Sequence, residues 1–457
     1  MNLKIFDGDS TVGGNKIYAE GVFLDFGLNM NVYNQFFDPY LKPRVSTGIE
    51  DYVLTGLLPP LNIYRKDIVS DSMRKILVDL KVDAVFISHA HVDHAGMIPY
   101  LSSEIPIVVS QDTLKIFNYL QTVGNDAYIS FGEREFVARE DGVVISTKKR
   151  KSDVIERIFI GAEEGQIGNV FYKMFPVDHS IPGSVGYLIK TSDASLFYTG
   201  DFNLHSRGRE FTLKSFQAVS RYRPDFLIIE GTNIDYVHDG STLSEDDLVN
   251  EFSQIIKKTK GVVVFDFTSK NVERMKTVFL ASSETKRQPV VTAEIAFLLT
   301  SLGIDIGDLY VLNERRLTQE KWYEMIAPKG YLSYKDINAN LNRFVICMGF
   351  YDIINLLDIN TKYGSYVFTR SEPFNEDLTV DFHKLQNWIR YLDMEFHKGE
   401  NLHVSGHATR KEIEQVVDII NPKHIVPVHT QNPDKFKEIF KDKVILDKSL
   451  FYEGMEI

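Results

Sequence analysis

Apolar positions along this chain change their period several times, and each change predicts an element. Lys16–Ala19 and residues 22–25 are short strand-like runs around Glu20-Gly21 and predict a β-hairpin. Residues 84–87 predict a strand, 96–103 a helix and 107–109 a further strand, together a β-α-β unit. Val185–Lys190 and residues 196–198, parted by Ser192-Asp193-Ala194, predict a second hairpin. From 236 to 398 the texture is again α/β, with apolar strand candidates at 262–265 and 344–346. Residues 409–420 read as an amphipathic helix: Thr409 with Glu412 forms a capping box, and Ile413, Val416, Val417 and Ile420 share a face. His424–Val428 then reads as a strand that delivers His429. Strands alternating with helices in this way predict an α/β fold.

Composition narrows the class. The 457 residues are 44% hydrophobic and 12% aromatic, as expected of a globular chain long enough for two or three domains. The opening MNLKIFDGDS lacks a basic region followed by an apolar stretch, so no signal peptide is expected. Apolar runs fall far short of the roughly 20 residues that span a bilayer, so no membrane partner is expected. Cys347 is the single cysteine, which rules out an intramolecular disulfide and suits a reducing, cytoplasmic setting.

The net charge of −12 argues mildly against a nucleic-acid partner, because phosphate chains favour a positive surface. Bound dications weaken that argument, since they attract phosphate themselves. The densest basic run, Lys148-Lys149-Arg150-Lys151, reads more readily as a solvated loop than as an RNA contact.

The chemistry concentrates in Phe86-Ile-Ser-His89-Ala-His91-Val-Asp93-His94-Ala-Gly96, where an apolar strand runs into three histidines and an aspartate. Imidazole and carboxylate suit zinc, and a tight loop after a strand can aim them at two neighbouring ions. The spacing HxHxDH resembles the signature of the metallo-β-lactamase superfamily. That resemblance calls for a third histidine, a bridging aspartate and a late histidine. His179 in Phe175-Pro-Val-Asp-His179-Ser, Asp201 in Thr199-Gly-Asp201-Phe and His429 in Pro427-Val-His429 occur in that order. Alone, His179 or His429 would read as an ordinary histidine. By the resemblance, His89, His91 and His179 hold one metal, Asp93, His94 and His429 the other, and Asp201 bridges them. Asp25, in Phe23-Leu-Asp-Phe-Gly27, matches the early aspartate that orients such ligands, although a plain turn aspartate also fits. The implied cofactor is two zinc ions per chain, and the same ligands accept manganese. Two dications about 3.5–4 Å apart activate water and stabilise charge at phosphorus.

Three further features resemble motifs of the β-CASP nucleases, the subgroup that carries an inserted cap domain. Phe226-Leu-Ile-Ile-Glu230 puts an acid at the end of an apolar strand, His403-Val-Ser-Gly-His407 follows the long insertion, and His429 lies 22 residues beyond His407. By that resemblance Glu230, His407 and His429 are motifs A, B and C, and histidine at motif C goes with RNA-cleaving members. His179-Ser-Ile-Pro-Gly, Gly231-Thr-Asn233 and residues 265–272 are similar to segments of the RNase J family.

The chain differs from that family at Cys347-Met-Gly-Phe-Tyr-Asp352, at Thr430 and in stopping at Ile457 without a further domain. These differences bear on substrate-end selection and oligomeric state, not on metal chemistry.

The expected fold is an α/β metallo-β-lactamase αββα sandwich in two segments, 1–235 and 399–457, interrupted by a β-CASP cap at 236–398. The implied function is a two-zinc ribonuclease acting 5′→3′ on single-stranded RNA with a 5′-monophosphate. His407, oriented by Glu230, would protonate the departing 3′ oxygen. His403 and Ser405 would bind phosphate, although Ser405-Gly406 also reads as a turn. A second copy of the chain is a candidate partner, homodimers being common. The competing readings are an endoribonuclease of the polyadenylation-factor type, a small-molecule metallo-hydrolase and an inactive RNA-binding scaffold. His205, His238, His383, His397 and His424 are left as ordinary histidines, His205 standing close enough to Asp201 to line the cleft.

Overall fold

Three β-sheets organise the chain in the computed structural model, which describes residues 2–124, 126–139, 142–146, 154–236, 243–314, 317–370 and 376–446. The basic run 148–151 and His238 lie outside these residues. The first sheet orders its strands Leu3–Asp7, Lys16–Ala19, Val22–Leu24, Ala84–Phe86, Ile107–Val108 and Phe159–Ile160. The second orders Glu164–Ile167, Val170–Pro176, Val185–Lys190, Ser195–Tyr198, Phe226–Glu230 and His424–Val428. Both expected hairpins form: Ile17 pairs with Leu24, and Tyr187 with Tyr198. Glu20 and Gly21 turn the first with φ of 49° and 92°, the left-handed conformation that a tight hairpin turn requires.

Side chains alternate across each strand, and both faces of both sheets are covered. Leu24, Ala84 and Phe86 of the first sheet meet Tyr187, Leu196, Tyr198 and Ile228 of the second between the layers. On the outer face of the second sheet, Phe197, Leu227 and Ile229 pack against Phe216 of the helix Arg209–Ser220 and Ile413 and Val416 of the helix Arg410–Ile420. On the outer face of the first, Phe23 and Val85 meet Ile116 and Phe117 of the helix Gln111–Gly124. The result is the αββα sandwich expected from the sequence. Glu412 caps its own helix as expected: its N–H donates to Thr409 Oγ1, and its carboxylate accepts the Thr409 N–H.

The helix expected at 96–103 does not form. A single turn, Val92–Ala95, opens directly after His91, and a 3-10 turn follows at Ile98–Tyr100. Phe26 draws the backbone away: its N–H donates to the His94 carbonyl and its own carbonyl accepts the Met97 N–H. Pro99 has no N–H to continue a helix.

The third sheet is wholly parallel. Its strands run Gly330–Leu332, Tyr310–Leu312, Gln288–Val291, Phe344–Met348, Val263–Asp266, Ser365–Phe368 and Glu395–His397, with helices on both faces. It is inserted between Phe226–Glu230 and His424–Val428, which pair in parallel in the second sheet although 193 residues separate their ends. The inserted unit packs on the sandwich through Phe297, whose ring lies 5.8 Å from that of Tyr119.

Candidate metal centre

Four strands end at one place, and each releases a potential ligand there. Ala84–Phe86 leads to His89, His91, Asp93 and His94; Ser195–Tyr198 to Asp201; Phe226–Glu230 ends in Glu230; His424–Val428 leads to His429. His179 arrives from the loop between Val170–Pro176 and Val185–Lys190. Before Asp201, Gly200 turns with φ 57°, and a Cβ there would stand 2.8 Å from the Ser88 Cβ, so the two ligand loops meet only because Gly200 has no side chain. Gly27 allows a tighter approach, since a Cβ would fall 1.7 Å from the Asp93 carbonyl oxygen.

The expected ligand residues converge in overlapping groups: His89, His91 and His179; Asp93, His94 and His429; and His89, His94 and Asp201; a further group joins Glu230 and His407 to Asp201 and His429. Within each group the ligand atoms lie within 4.8 Å of one another. His89 Nε2 is 2.9 Å from His91 Nδ1, which is 3.2 Å from His179 Nε2. Nitrogens around one tetrahedral zinc, at about 2.0–2.1 Å from it, stand about 3.3 Å apart. Asp201 Oδ2 is 3.7 Å from His89 Nε2, 3.8 Å from His179 Nε2, 3.0 Å from His94 Nε2 and 3.6 Å from His429 Nε2, so it faces both triads.

Hydrogen bonds behind the ligands set their tautomers. His179 Nδ1 donates to the Gly406 carbonyl at 2.6 Å, which leaves Nε2 bare. His94 Nδ1 donates to Asp25 Oδ2 at 2.7 Å, which turns Nε2 toward Asp201. Asp25 also accepts from Ser88 N–H and Oγ and from the Tyr198 hydroxyl. Asp25 holds φ 59°, a conformation rare outside glycine, which this network sustains. His429 Nδ1 donates to Thr232 Oγ1 at 2.8 Å, and that hydroxyl donates on to the His429 carbonyl.

Electrostatics favour a cation in the site. Burial pushes His89 and His91 well below the ordinary histidine range and His179 to about 4, keeping all three neutral. Burial also opposes charge on His94, but Asp201, Asp93 and Asp25 outweigh it and raise its pKa. Asp201 is held low against burial by His429, His94 and His407. His94 Nε2 and Asp201 Oδ1 are buried without a hydrogen-bond partner among the described residues. Bare nitrogens that face one another beside ionised carboxylates fit divalent metal ions.

Beside the ligands, Glu230 accepts the backbone N–H groups of Phe202, Ala408 and Thr232 and faces His407 Nδ1 at 3.2 Å. Burial acts to lower the His407 pKa, but Glu230 and Asp201 raise it to about 9. Ser405 Oγ accepts from His407 N–H and Asn233 Nδ2, which leaves its own hydrogen free to donate. His403 Nδ1 donates to the Thr369 carbonyl at 3.0 Å, and burial and Arg274 lower its pKa to about 4.

Sequence reasoning missed several contributors. Thr232 and Asn233 lie in the segment Gly231-Thr-Asn233, yet their roles required knowing that Ser405, His407 and His429 stand beside them. His205 does not line the cleft as an idle histidine: Nδ1 faces Glu412 at 3.0 Å and Nε2 donates to the Ser405 carbonyl at 2.8 Å. His397 and His424, in contrast, stand at strands away from the cluster, and His383 lies on the helix Glu376–Tyr391.

Residues 77–265 match the Metallo-beta-lactamase superfamily, and residues 395–441 match the Zn-dependent metallo-hydrolase RNA specificity domain. The chain is 22% identical to Ribonuclease J of Mycoplasma pneumoniae over 447 residues, covering 93% of this chain and 70% of that one. It is 23% identical to Ribonuclease J of Methanocaldococcus jannaschii, covering 81% and 80%. Against Ribonuclease J 2 of Streptococcus pyogenes it is 22% identical, covering 78% of this chain but only 60% of that one. A crystal structure of an Enterococcus faecalis V583 protein of unknown function shares the fold, with a TM-score of 0.72, 22% identity and 97% of each chain covered.

Proposed function

We propose that this chain, which belongs to the ribonuclease J family of β-CASP metallo-β-lactamase-fold proteins, hydrolyses RNA phosphodiester bonds with two divalent metal ions. Zinc is the metal we favour and manganese the alternative. The observation that carries the reading is that the groups His89–His91–His179 and Asp93–His94–His429, with Asp201 facing both, lie beside the Glu230–His407 pair. A metal-ligand cluster alone would suit many hydrolases on this fold. A buried carboxylate that aligns a histidine beside it supplies the acid that an alkoxide leaving group needs.

His89, His91, His179, Asp93, His94, Asp201 and His429 would hold the two dications, which would supply activation of water and neutralisation of charge at phosphorus. The protein's own groups do the rest. Glu230 is fixed by three backbone N–H groups, so it holds His407 in one orientation and favours its protonated form. His407 can then carry a proton at Nε2 and pass it to the departing 3′ oxygen. Ser405 offers its hydroxyl to a phosphate oxygen. His403 suits that role less well, because neutral His403 has its hydrogen on Nδ1 and presents Nε2 as an acceptor. RNA would lie between the sandwich, 1–235 and 399–457, and the cap, 236–398. A 5′-monophosphate pocket in that cleft would give 5′→3′ exonuclease action. A cytoplasmic setting suits the single Cys347, which is buried. No helix of the described residues is long and apolar enough to cross a membrane.

The test is a single-stranded RNA with a 5′-monophosphate and a 3′ label, run beside its triphosphate form, the DNA equivalent and the His407→Ala variant. Shortening of the labelled RNA, absent with DNA and with His407→Ala, is expected. Preference for the monophosphate would support exonuclease action, and discrete internal fragments without end dependence would favour the endonuclease. No cleavage with zinc or manganese would overturn the proposal.

A further inference from the structure

The cap brings the cation of Lys270 against the loop that carries His89 and His91. The strand Val263–Asp266 ends at the cleft, and the helix Val272–Glu284 starts after the N-cap Asn271, whose side chain accepts the Arg274 N–H. Lys270 stands immediately before that cap, and its backbone is held there because its carbonyl accepts the Val272 N–H while Thr268 accepts that of Asn271. Its side chain crosses from cap to sandwich, and Nζ donates to the carbonyl of Ala90 at 3.3 Å. Ala90 is the residue between the ligands His89 and His91.

This cation is poorly matched for a purely structural part. An ammonium has three N–H donors, and the Ala90 carbonyl takes one. Among the described residues no carboxylate lies within ion-pairing distance of Nζ, although Asp93 is near enough to act on it through space. Surrounding protein penalises the charge, and a partly desolvated ammonium without an anionic partner costs stability. A methionine of similar length would span the same gap without that cost. The feature that would justify a charge here is an anion that arrives from solution and lies against the loop His89–Ala90–His91.

We propose that Lys270 Nζ binds a nonbridging oxygen of the RNA phosphate held at the metal centre. The inference rests on the ribonuclease reading and adds to it a substrate ligand contributed by the cap. With Ser405 on one side and Lys270 on the other, the phosphate is held by both parts of the molecule, so cap and sandwich must keep their present arrangement for cleavage. The cation also offsets charge that develops on the phosphate oxygens as the bond breaks, where a preplaced donor is most effective.

The experiment uses the full chain with Lys270→Met, which keeps length without charge, and Lys270→Arg, which keeps charge. Rates on 5′-monophosphorylated RNA give kcat and KM, and RNA affinity is measured across salt concentrations in a His407→Ala background that does not turn over. Thermal unfolding of each variant is recorded alongside. Lys270→Met is expected to lose about 10- to 100-fold in kcat/KM, and the slope of log affinity against log salt should fall by about 0.7, one phosphate contact on a single strand. Lys270→Arg should recover part of the rate and the whole slope. An unchanged slope in Lys270→Met overturns the inference, whether or not its stability falls, because a latch between domains would move stability alone. If the wild type itself neither binds nor cleaves RNA, the ribonuclease reading falls first. If the wild type cleaves and Lys270→Met equals it, only this inference falls.

Discussion

The carbonyl of Gly406 accepts the Nδ1 proton of His179 at 2.6 Å, across 227 residues of sequence. This bond ties the loop that carries His403, Ser405 and His407 to a side chain of the candidate metal centre. The groups proposed as acid and phosphate binders are therefore positioned by the same contact that orients a proposed metal ligand. Loss of either partner should disturb both functions.

Gly406→Ala tests that link. A Cβ at 406 would lie 3.0 Å from the Ser180 Cβ and 3.1 Å from His179 Cε1, closer than ordinary contacts, and would push the imidazole out of line. The variant should bind metal about 10-fold more weakly, read by competition with a chromogenic chelator. Metal content and affinity equal to wild type would show that His179 tolerates the shift.

Asp25→Asn should have a comparable effect from the other side of the site. Asp25 Oδ2 accepts from His94, the Ser88 hydroxyl and Tyr198 while Oδ1 accepts the Ser88 N–H, and an amide cannot accept at both of its ends. Metal affinity should fall about 10- to 100-fold, with the RNA cleavage rate restored at high metal concentration. Failure of added metal to restore the rate would argue for a larger collapse of the loop.

Glu230→Gln should retain metal but lose activity. Its amide nitrogen would face the backbone N–H groups of Phe202 and Ala408 at one end or that of Thr232 at the other, leaving a buried clash of donors. Cleavage should fall about 100-fold or more, and stability by about 1–3 kcal/mol, seen in denaturant unfolding. Full activity would remove the Glu230–His407 pair from the mechanism.

Metal removal should destabilise the fold. Asp93, Asp201, His94 and His429 crowd together without a neutralising cation, and a ligand present at 100 times its dissociation constant adds about 2.7 kcal/mol to stability. Dialysis against a chelator should abolish cleavage and lower the Tm, and zinc or manganese should restore both. A Tm insensitive to chelation would mean that these side chains do not hold a metal tightly.

His205 predicts a pH dependence remote from the ligands. Burial opposes its charge, but the bond to Glu412 outweighs that and raises its pKa, and acceptors at both ring nitrogens require the imidazolium. Because the folded value exceeds the unfolded one of about 6.5, its stabilisation is complete below that pH and is lost as pH rises through the folded value. His205→Gln should therefore cost about 2 kcal/mol at pH 6 and progressively less in alkaline buffer. An equal loss at pH 6 and pH 9, by denaturant unfolding, would show that His205 acts without its charge.

Local patterns in the sequence determined a good deal: the hairpin at Glu20-Gly21, the capping box of Thr409 and Glu412, and the cluster His89 to His94 at a strand end. Each depends on neighbours a few residues apart, where backbone geometry converts spacing directly into contact. That His179, Asp201 and His429 converge on that cluster was legible through their order along the chain. Even there, the helix expected at 96–103 failed because Phe26, far back in the chain, claims the backbone of His94 and Met97.

Only the tertiary structure decided the rest. His429 meets Asp93 across 336 residues, His205 spans from Ser405 to Glu412, and Lys270 of the cap lies against Ala90. Strand register and sheet packing create these pairings. A lone lysine or histidine carries no periodic signal of the partner it will meet once three sheets have closed around it.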